Sequence, residues 1–201
     1  TGDKATCARN FVDHYYRHVP PEDMHGQEPE DLYGAALSLW TFGQERKPGE
    51  AKVRVYNPRF EKHGWHSTHT VIEIVNDDMP FLVDSVSIEM ARQNITAHLI
   101  IHPVFGVERD GKGKAVDFPL HEKRPEGLSD ESFMHIEVDE QSSATALKAI
   151  EEGIRFVFDD EAFEVKTLDL SEGLDGALGD TGENFAVGGE NRWAYSSFVN
   201  W

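Results

Sequence analysis

The stretch TVIEIVNDDMPFLVDSVSIEMARQN, residues 70–94, is the one whose reading decides the fold. Val71, Ile72, Ile74 and Val75 form a β-branched run bounded by a turn signal, the pattern of a strand covered on at least one face. Asn76, Asp77 and Asp78 then supply short acceptor side chains able to cap a helix amide, and Pro80 suits a first turn that needs no donor. Beyond it Met79, Leu82, Val83, Val86 and Met90 recur at three- and four-residue spacing, while Asp84, Ser85, Ser87, Arg92 and Gln93 are expected to face outward. A strand handing over to a helix in this way leaves free amides and the positive end of a dipole beside the sheet. A carboxylate or phosphate can bind there; the competing reading is that the turn's own side chains satisfy those amides. Asn76, Asp77, Asp78, Met79, Pro80 and Phe81 are therefore the candidate effector or interface turn.

Working toward the N-terminus, Lys52–Tyr56 reads as a short strand closed by Asn57-Pro58. Before it the spacing predicts a helix from Pro29 to Arg46, with Leu32, Ala35, Ala36, Leu39 and Phe42 as its stripe, stopped by Lys47-Pro48-Gly49. An earlier helix over Ala5–His18 aligns Phe11, Val12, Tyr15 and Tyr16 and ends at Pro20-Pro21. These two helices are expected to act as packing elements or as an interaction arm.

Toward the C-terminus, Ala97–Val107 predicts a strand that Pro103 forces to an edge or a bulge. The turn RDGKGK, 109–114, matches neither a P-loop nor a dinucleotide fingerprint, and Ala115–Leu120 pairs back as a hairpin arm. His121–Asp130 is a polar loop. Ser132–Asp139 alternates, with Met134, Ile136 and Val138 on one face and Phe133, His135 and Glu137 on the other. Ser142 or Ser143 then caps a helix carrying Leu147, Ile150, Ile154 and Val157, and Phe163–Leu170 supplies a last strand. From Asp159 to Arg192 there are ten acidic residues against two basic, with six glycines between 173 and 189, so this tail reads as a linker.

Composition narrows the function. With 201 residues and 39% hydrophobic content the chain can bury a real core in one or two domains. A net charge of −18, from 37 acidic and 19 basic residues, argues against a nucleic-acid or anionic-membrane partner. The lone Cys7 excludes an internal disulfide framework and fits a reducing cytoplasm. No apolar run approaches the roughly 20 residues of a membrane span. The chain starts without Met and stops in mid-pattern, as a fragment of a longer protein would. His63, His66 and His69 recur at spacing three, but Gly64, Ser67 and Thr68 make the segment a loop. Without a cysteine or an H-E-x-x-H pattern, solvated histidines are expected there rather than a metal site. No nucleophile can be paired with a base, so no catalytic residue is assigned.

Collected, residues 70–170 give strand, helix, strand, strand, helix, strand. This is an α+β, ferredoxin-like βαββαβ order with an antiparallel sheet and two helices on one face, preceded by the N-terminal helical pair. The boundaries expected are 1–58 for the helical arm and short strand, 59–170 for the α+β domain, and 171–201 for an acidic Gly-rich linker.

The turn IVNDDMPFLVDSV resembles the first strand-turn-helix of ACT domains, small regulatory modules of ferredoxin-like fold. Their pattern is an acidic residue, a variable one, then Pro-Gly-Leu-Leu, against Asp78-Met79-Pro80-Phe81-Leu82-Val83 here. Phe81 stands where glycine is common, and its bulk works against an amino-acid ligand at this turn. A longer match, through YYRHVPPEDM, DLYGAALSLWTFGQERKPGEAKVRVYNP, HGWHSTHTVIEIVNDDMPFLVDSV, HLIIHPVFGVERD and SFMHIEVD, resembles the N-terminal region of the large bacterial NAD-specific glutamate dehydrogenases from Phe11 to Asp139. The resemblance implies a parent enzyme that oxidises L-glutamate to 2-oxoglutarate and ammonia with NAD. The nucleotide-binding and catalytic domains of that family lie far C-terminal, so no cofactor and no activity are expected in this fragment. Its implied role is regulation or assembly of a homo-oligomer, with the rest of the parent polypeptide as partner and an amino acid as candidate effector. Two rivals are a self-standing amino-acid sensor and a metal-binding module built on His63, His66 and His69.

Overall fold

The computed structural model describes residues 4–119, 128–159, 162–165 and 191–194. The chain divides into two units, Thr1–Asp159 and Asp160–Trp201. In the first, the elements are α1 (Lys4–Tyr15), a 3-10 turn (Pro21–Met24), α2 (Pro29–Phe42), β1 (Lys52–Tyr56), a short α3 (Phe60–His63), β2 (Thr70–Asp77) and α4 (Leu82–Arg92). They continue with β3 (Ala97–Ile101), β4 (Val104–Gly106), β5 (Glu108–Arg109), β6 (Ala115–Asp117), β7 (Asp130–Val138) and α5 (Ala144–Asp159). In the second unit β8 (Ala162–Val165) pairs antiparallel with β9 (Asn191–Ala194).

The main sheet runs β1-β2-β7-β3, with β4 also paired to β7, and every pairing is antiparallel. The α+β class and the antiparallel sheet match expectation, but the strand beside β2 does not. A βαββαβ chain would place its last strand there. Instead β1 fills that edge, with Val53 opposite Ile74 and Val55 opposite Ile72. Its valines alternate inward onto the same apolar layer as β2, and the guanidinium of Arg155 on α5 donates to the Val53 carbonyl at 2.6 Å. The segment expected as the final strand, Phe163–Leu170, contributes residues 163–165 to β8 and lies outside the described residues from 166 on.

Pro103 acts as its missing donor dictates. It separates β3 from β4 without a change of register, since Ile101 faces His135 and Val104 faces Ser132, and its carbonyl accepts from Phe133 N at 3.0 Å. The outcome is an edge strand in two pieces. The hairpin expected after it forms as β5–β6.

The sheet is covered on both faces. On one, Val53, Val55, Ile72, Ile74, Met134, Ile136 and Val138 pack against Leu82, Val86 and Met90 of α4 and Ile150 and Ile154 of α5. Ser143 Oγ accepts from Ala146 N and caps α5 as expected. On the other, Phe11 and Tyr15 of α1 and Ala36 and Leu39 of α2 pack on Val75, Phe133, Phe105 and Phe118. Phe11 stacks on Phe105 at 4.4 Å and meets Phe133 edge-on at 5.4 Å. Of the two roles expected for the helical pair, packing elements or an interaction arm, the structure shows packing: it lies against the sheet, and β1 belongs to the sheet itself. The physical reason is apolar demand, because Val71, Val75 and Phe133 alternate away from α4 and α5 and need a second cover. Of the linker segment 171–201, only the strand Asn191–Ala194 is described. Among the described residues no helix is long and apolar enough to cross a membrane.

Candidate functional site

The candidate turn sits where β2 ends against α4. Strand β2 continues through Asp77, so Asn76 and Asp77 still project across the sheet and do not reach the axis of the coming helix. Asn76 is buried. Asp77 accepts from Arg46 Nη2 at 2.5 Å and from Gly49 N at 2.8 Å, and the backbone N–H of Asp78 donates to the Asp130 carbonyl at 2.9 Å. The cap position belongs to Phe81, with φ 65° and ψ 14°, and α4 has no side-chain cap. Capping by Asn76–Asp78 is therefore corrected, and Pro80 precedes the cap instead of opening the helix. Ser85, expected outward, is buried.

Phe81 occupies the left-handed region that glycine favours, and the residue is 54% exposed. Met79 is half-buried against the α4–α5 core. Asp78 is exposed as a residue, yet partial burial of its carboxyl pushes it above the usual carboxylate range. His102 pulls it down and Asp130 pushes it further up.

The turn is held from behind by a cluster of charges. Asp77 and Glu131 lie directly opposite each other on β2 and β7, a like-charge pair that is unfavourable alone. Arg46 lies between them, with Nη2 on Asp77 and Nε on Glu131 at 3.1 Å. Arg109 grips the same Glu131 through Nε at 2.6 Å and Nη2 at 2.7 Å, and also donates to the Gly43 and Gly113 carbonyls. The loop after α2, the β5–β6 hairpin and the root of the turn are thereby tied to one buried carboxylate.

A second buried polar group lies farther along the same sheet face. Arg54 on β1 donates to Glu73 on β2 at 2.5 Å, and Tyr56 donates to the other Glu73 oxygen at 2.9 Å. Glu137 meets His69 Nδ1 at 3.1 Å and His135 Nε2 at 3.4 Å. Burial pushes the Glu137 carboxyl up, but His135 and His69 outweigh it and leave it below its ordinary range. Burial, reinforced by Glu73 and Glu137, drives the Tyr15 phenol well up, so it stays protonated.

The three loop histidines go to different partners. His63 Nδ1 accepts from Arg59 N and its ring lies on Tyr56, while the His66 amide donates to Asp31. His69 alone reaches the buried layer, where it meets Glu137 with its ring beside His98. Among the described residues no group of three or more His, Cys, Asp or Glu could hold a metal ion.

Sequence reasoning missed Arg46, Arg109, Glu131, Glu73 and Glu137. The available signal was alternation: Glu73, Asp77, Glu131, His135 and Glu137 all share the parity of Val75 and Phe133, which are core residues.

An antiparallel sheet with helices on both faces, and a strand-to-helix turn at one end, is consistent with an ACT-like α+β module. The chain belongs to the family described as "Glutamate dehydrogenase, ACT1 domain", whose model matches residues 11–154. That match reaches past Asp139, where the motif resemblance stopped, and into α5. An NAD-specific glutamate dehydrogenase of Halomonas elongata is 44% identical over 149 residues, covering 74% of this chain and 9% of that protein. The protein of the same name from Pseudomonas aeruginosa is 35% identical over 154 residues, covering 76% of this chain and 10% of that protein. The chain thus spans about a tenth of the length of these curated relatives. No solved structure matches it.

Proposed function

We propose that the chain is a non-catalytic regulatory and assembly region of an NAD-dependent glutamate dehydrogenase. The parent would deaminate L-glutamate oxidatively to 2-oxoglutarate and ammonia, with NAD bound outside this region, in the cytoplasm and as a homo-oligomer. Asn76–Phe81 would be its contact turn. One observation carries this reading. Phe81 keeps a left-handed backbone and a half-exposed ring, two unfavourable features that burial against another domain or subunit would offset. The clasp of Arg46 on Asp77 holds the strand end from which the turn departs.

The test is Phe81→Ser in the full-length parent. Sedimentation should show a weakened oligomer, or NADH production from glutamate should lose its response to effectors, with the fold of the region intact by circular dichroism. Unchanged assembly together with unchanged regulation would remove the turn from both roles. A second reading, an amino-acid sensor, is favoured by the first turn of α4, which has no side-chain cap. A rise in melting temperature with one amino acid, abolished by Phe81→Ser, would favour it.

A further inference from the structure

Beneath the connection from α1 to α2 lies a small, partly open pocket of about 10 Å³, with Tyr15, Asp23, Gln27, His135 and Glu137 among its polar walls. That is the lower limit for one water-sized occupant, and far too small for an amino acid or a nucleotide. Two wall residues carry polar atoms that are buried without a partner among the described residues, the Tyr15 hydroxyl and His135 Nδ1. Their rings meet edge-on at 6.1 Å.

The hydrogen-bond roles follow from Glu137. Its ionised carboxylate can only accept, so His135 presents Nε2–H to it across 3.4 Å. In the neutral ring Nδ1 is then an acceptor, and no donor among the described residues meets it. The Tyr15 hydroxyl remains free to donate or accept. A guest that satisfies both atoms would donate to Nδ1 of the neutral ring and bond to the Tyr15 hydroxyl. The negative field of Glu73 and Glu137, which also keeps the Tyr15 proton in place, favours a guest rich in donors.

We propose that Tyr15 and His135, backed by Glu137, form a binding site for one single-centre hydrogen-bond donor, a water molecule or an ammonium ion. The inference stands apart from the role assigned to the Asn76–Phe81 turn. Occupancy would pin the His135 tautomer and join α1 to β7.

The test is the ring ¹⁵N spectrum of His135 in the 201-residue chain, recorded in sodium chloride and in ¹⁵N-ammonium chloride of equal ionic strength. Nδ1 shifted upfield as a hydrogen-bonded acceptor in both salts, without change between them, assigns the guest as water. A saturable shift seen with ammonium alone, with an exchange-protected bound ammonium signal, assigns the cation. Nδ1 at the free-acceptor position, or protonated, in both salts overturns the site. Tyr15→Phe removes one partner and leaves the His135–Glu137 contact in place. It should weaken ammonium binding about tenfold, as loss of one hydrogen bond does, or return Nδ1 toward the free position in the water case. No change in that variant would take Tyr15 out of the site and refute the two-partner geometry.

Discussion

Glu131→Gln should be among the most damaging single changes in the chain, although it alters no shape. The Glu131 side chain is 2% exposed, and those of Arg46 and Arg109 are 1% and 7% exposed. The carboxylate accepts three charge-assisted bonds from the two guanidiniums. A neutral amide leaves two buried cations facing each other, with the partly exposed Asp77 as the only carboxylate paired to either among the described residues. Removing one partner of a buried ionic group costs about 3–5 kcal/mol. For a unit of this size each kcal/mol moves the midpoint by about 2–4 °C, so the fall should be roughly 6–20 °C. Asp77→Asn is the internal control. Its side chain is 36% exposed, so its pairing is screened and the change should cost less than about 1 kcal/mol. Thermal and urea unfolding followed by circular dichroism would measure both. If Glu131→Gln lost no more than Asp77→Asn, the claim that Glu131 is the anchor would fail.

Other outcomes follow from the same geometry. Leu82→Ala should destabilise by about 2–5 kcal/mol in urea unfolding, because Leu82 is buried between α4 and the sheet. Phe81→Gly should stay within about 1 kcal/mol of the parent chain. Relief of left-handed strain worth about 1–2 kcal/mol offsets the greater freedom of unfolded glycine, and a larger loss would mean that the ring packs. Glu137 is held below its ordinary value of 4.5, so its contribution is whole above that pH and is lost as pH falls through the lowered folded value. Glu137→Gln should flatten that acid limb in a series of unfolding curves. Asp78 has the opposite sign. Its value is raised above 3.8, so ionisation costs stability as pH rises through the raised value, and Asp78→Asn should be at least as stable as the parent chain at pH 7.

Much of this fold was legible because local patterns and tertiary packing agree. Lys52–Tyr56, the 70–77 strand, the helix carrying Leu82, Val86 and Met90, and the interruption at Pro103 each follow from periodicity or a missing donor. The edge position of β1 was not legible. KVRVY announces a strand but says nothing about which neighbour it joins, and the βαββαβ order offered a later segment for the same place. The second sheet face was not legible for a different reason. Glu73, Glu131, His135 and Glu137 look like solvent-facing positions in one dimension, since charged residues are seldom buried unless paired. Their partners Arg54, Arg109, Arg46 and His69 lie 19, 22, 85 and 68 residues away, and no local pattern announces such pairs. The helical pair, which read as packing elements or an interaction arm, is the packing cover over that face.

The same distinction accounts for the candidate turn. Three acceptor residues before an amphipathic helix are the usual mark of an N-cap, and propensity alone would assign Asn76–Asp78 that work. Pairing with β7 carries β2 as far as Asp77, opposite Glu131, and this commits Asp77 to the sheet face where Arg46 waits. With that carboxylate spent across the sheet, the chain must still turn into α4 within four residues, and it does so by placing Phe81 in a conformation its side chain disfavours. The strain at Phe81 is thus the consequence of a longer strand, and the longer strand is held by a buried ionic cluster. Loosening that cluster at Glu131 should therefore disturb the presentation of Phe81 at a distance, which a change in the exposure of the ring to a fluorescence or NMR probe would register.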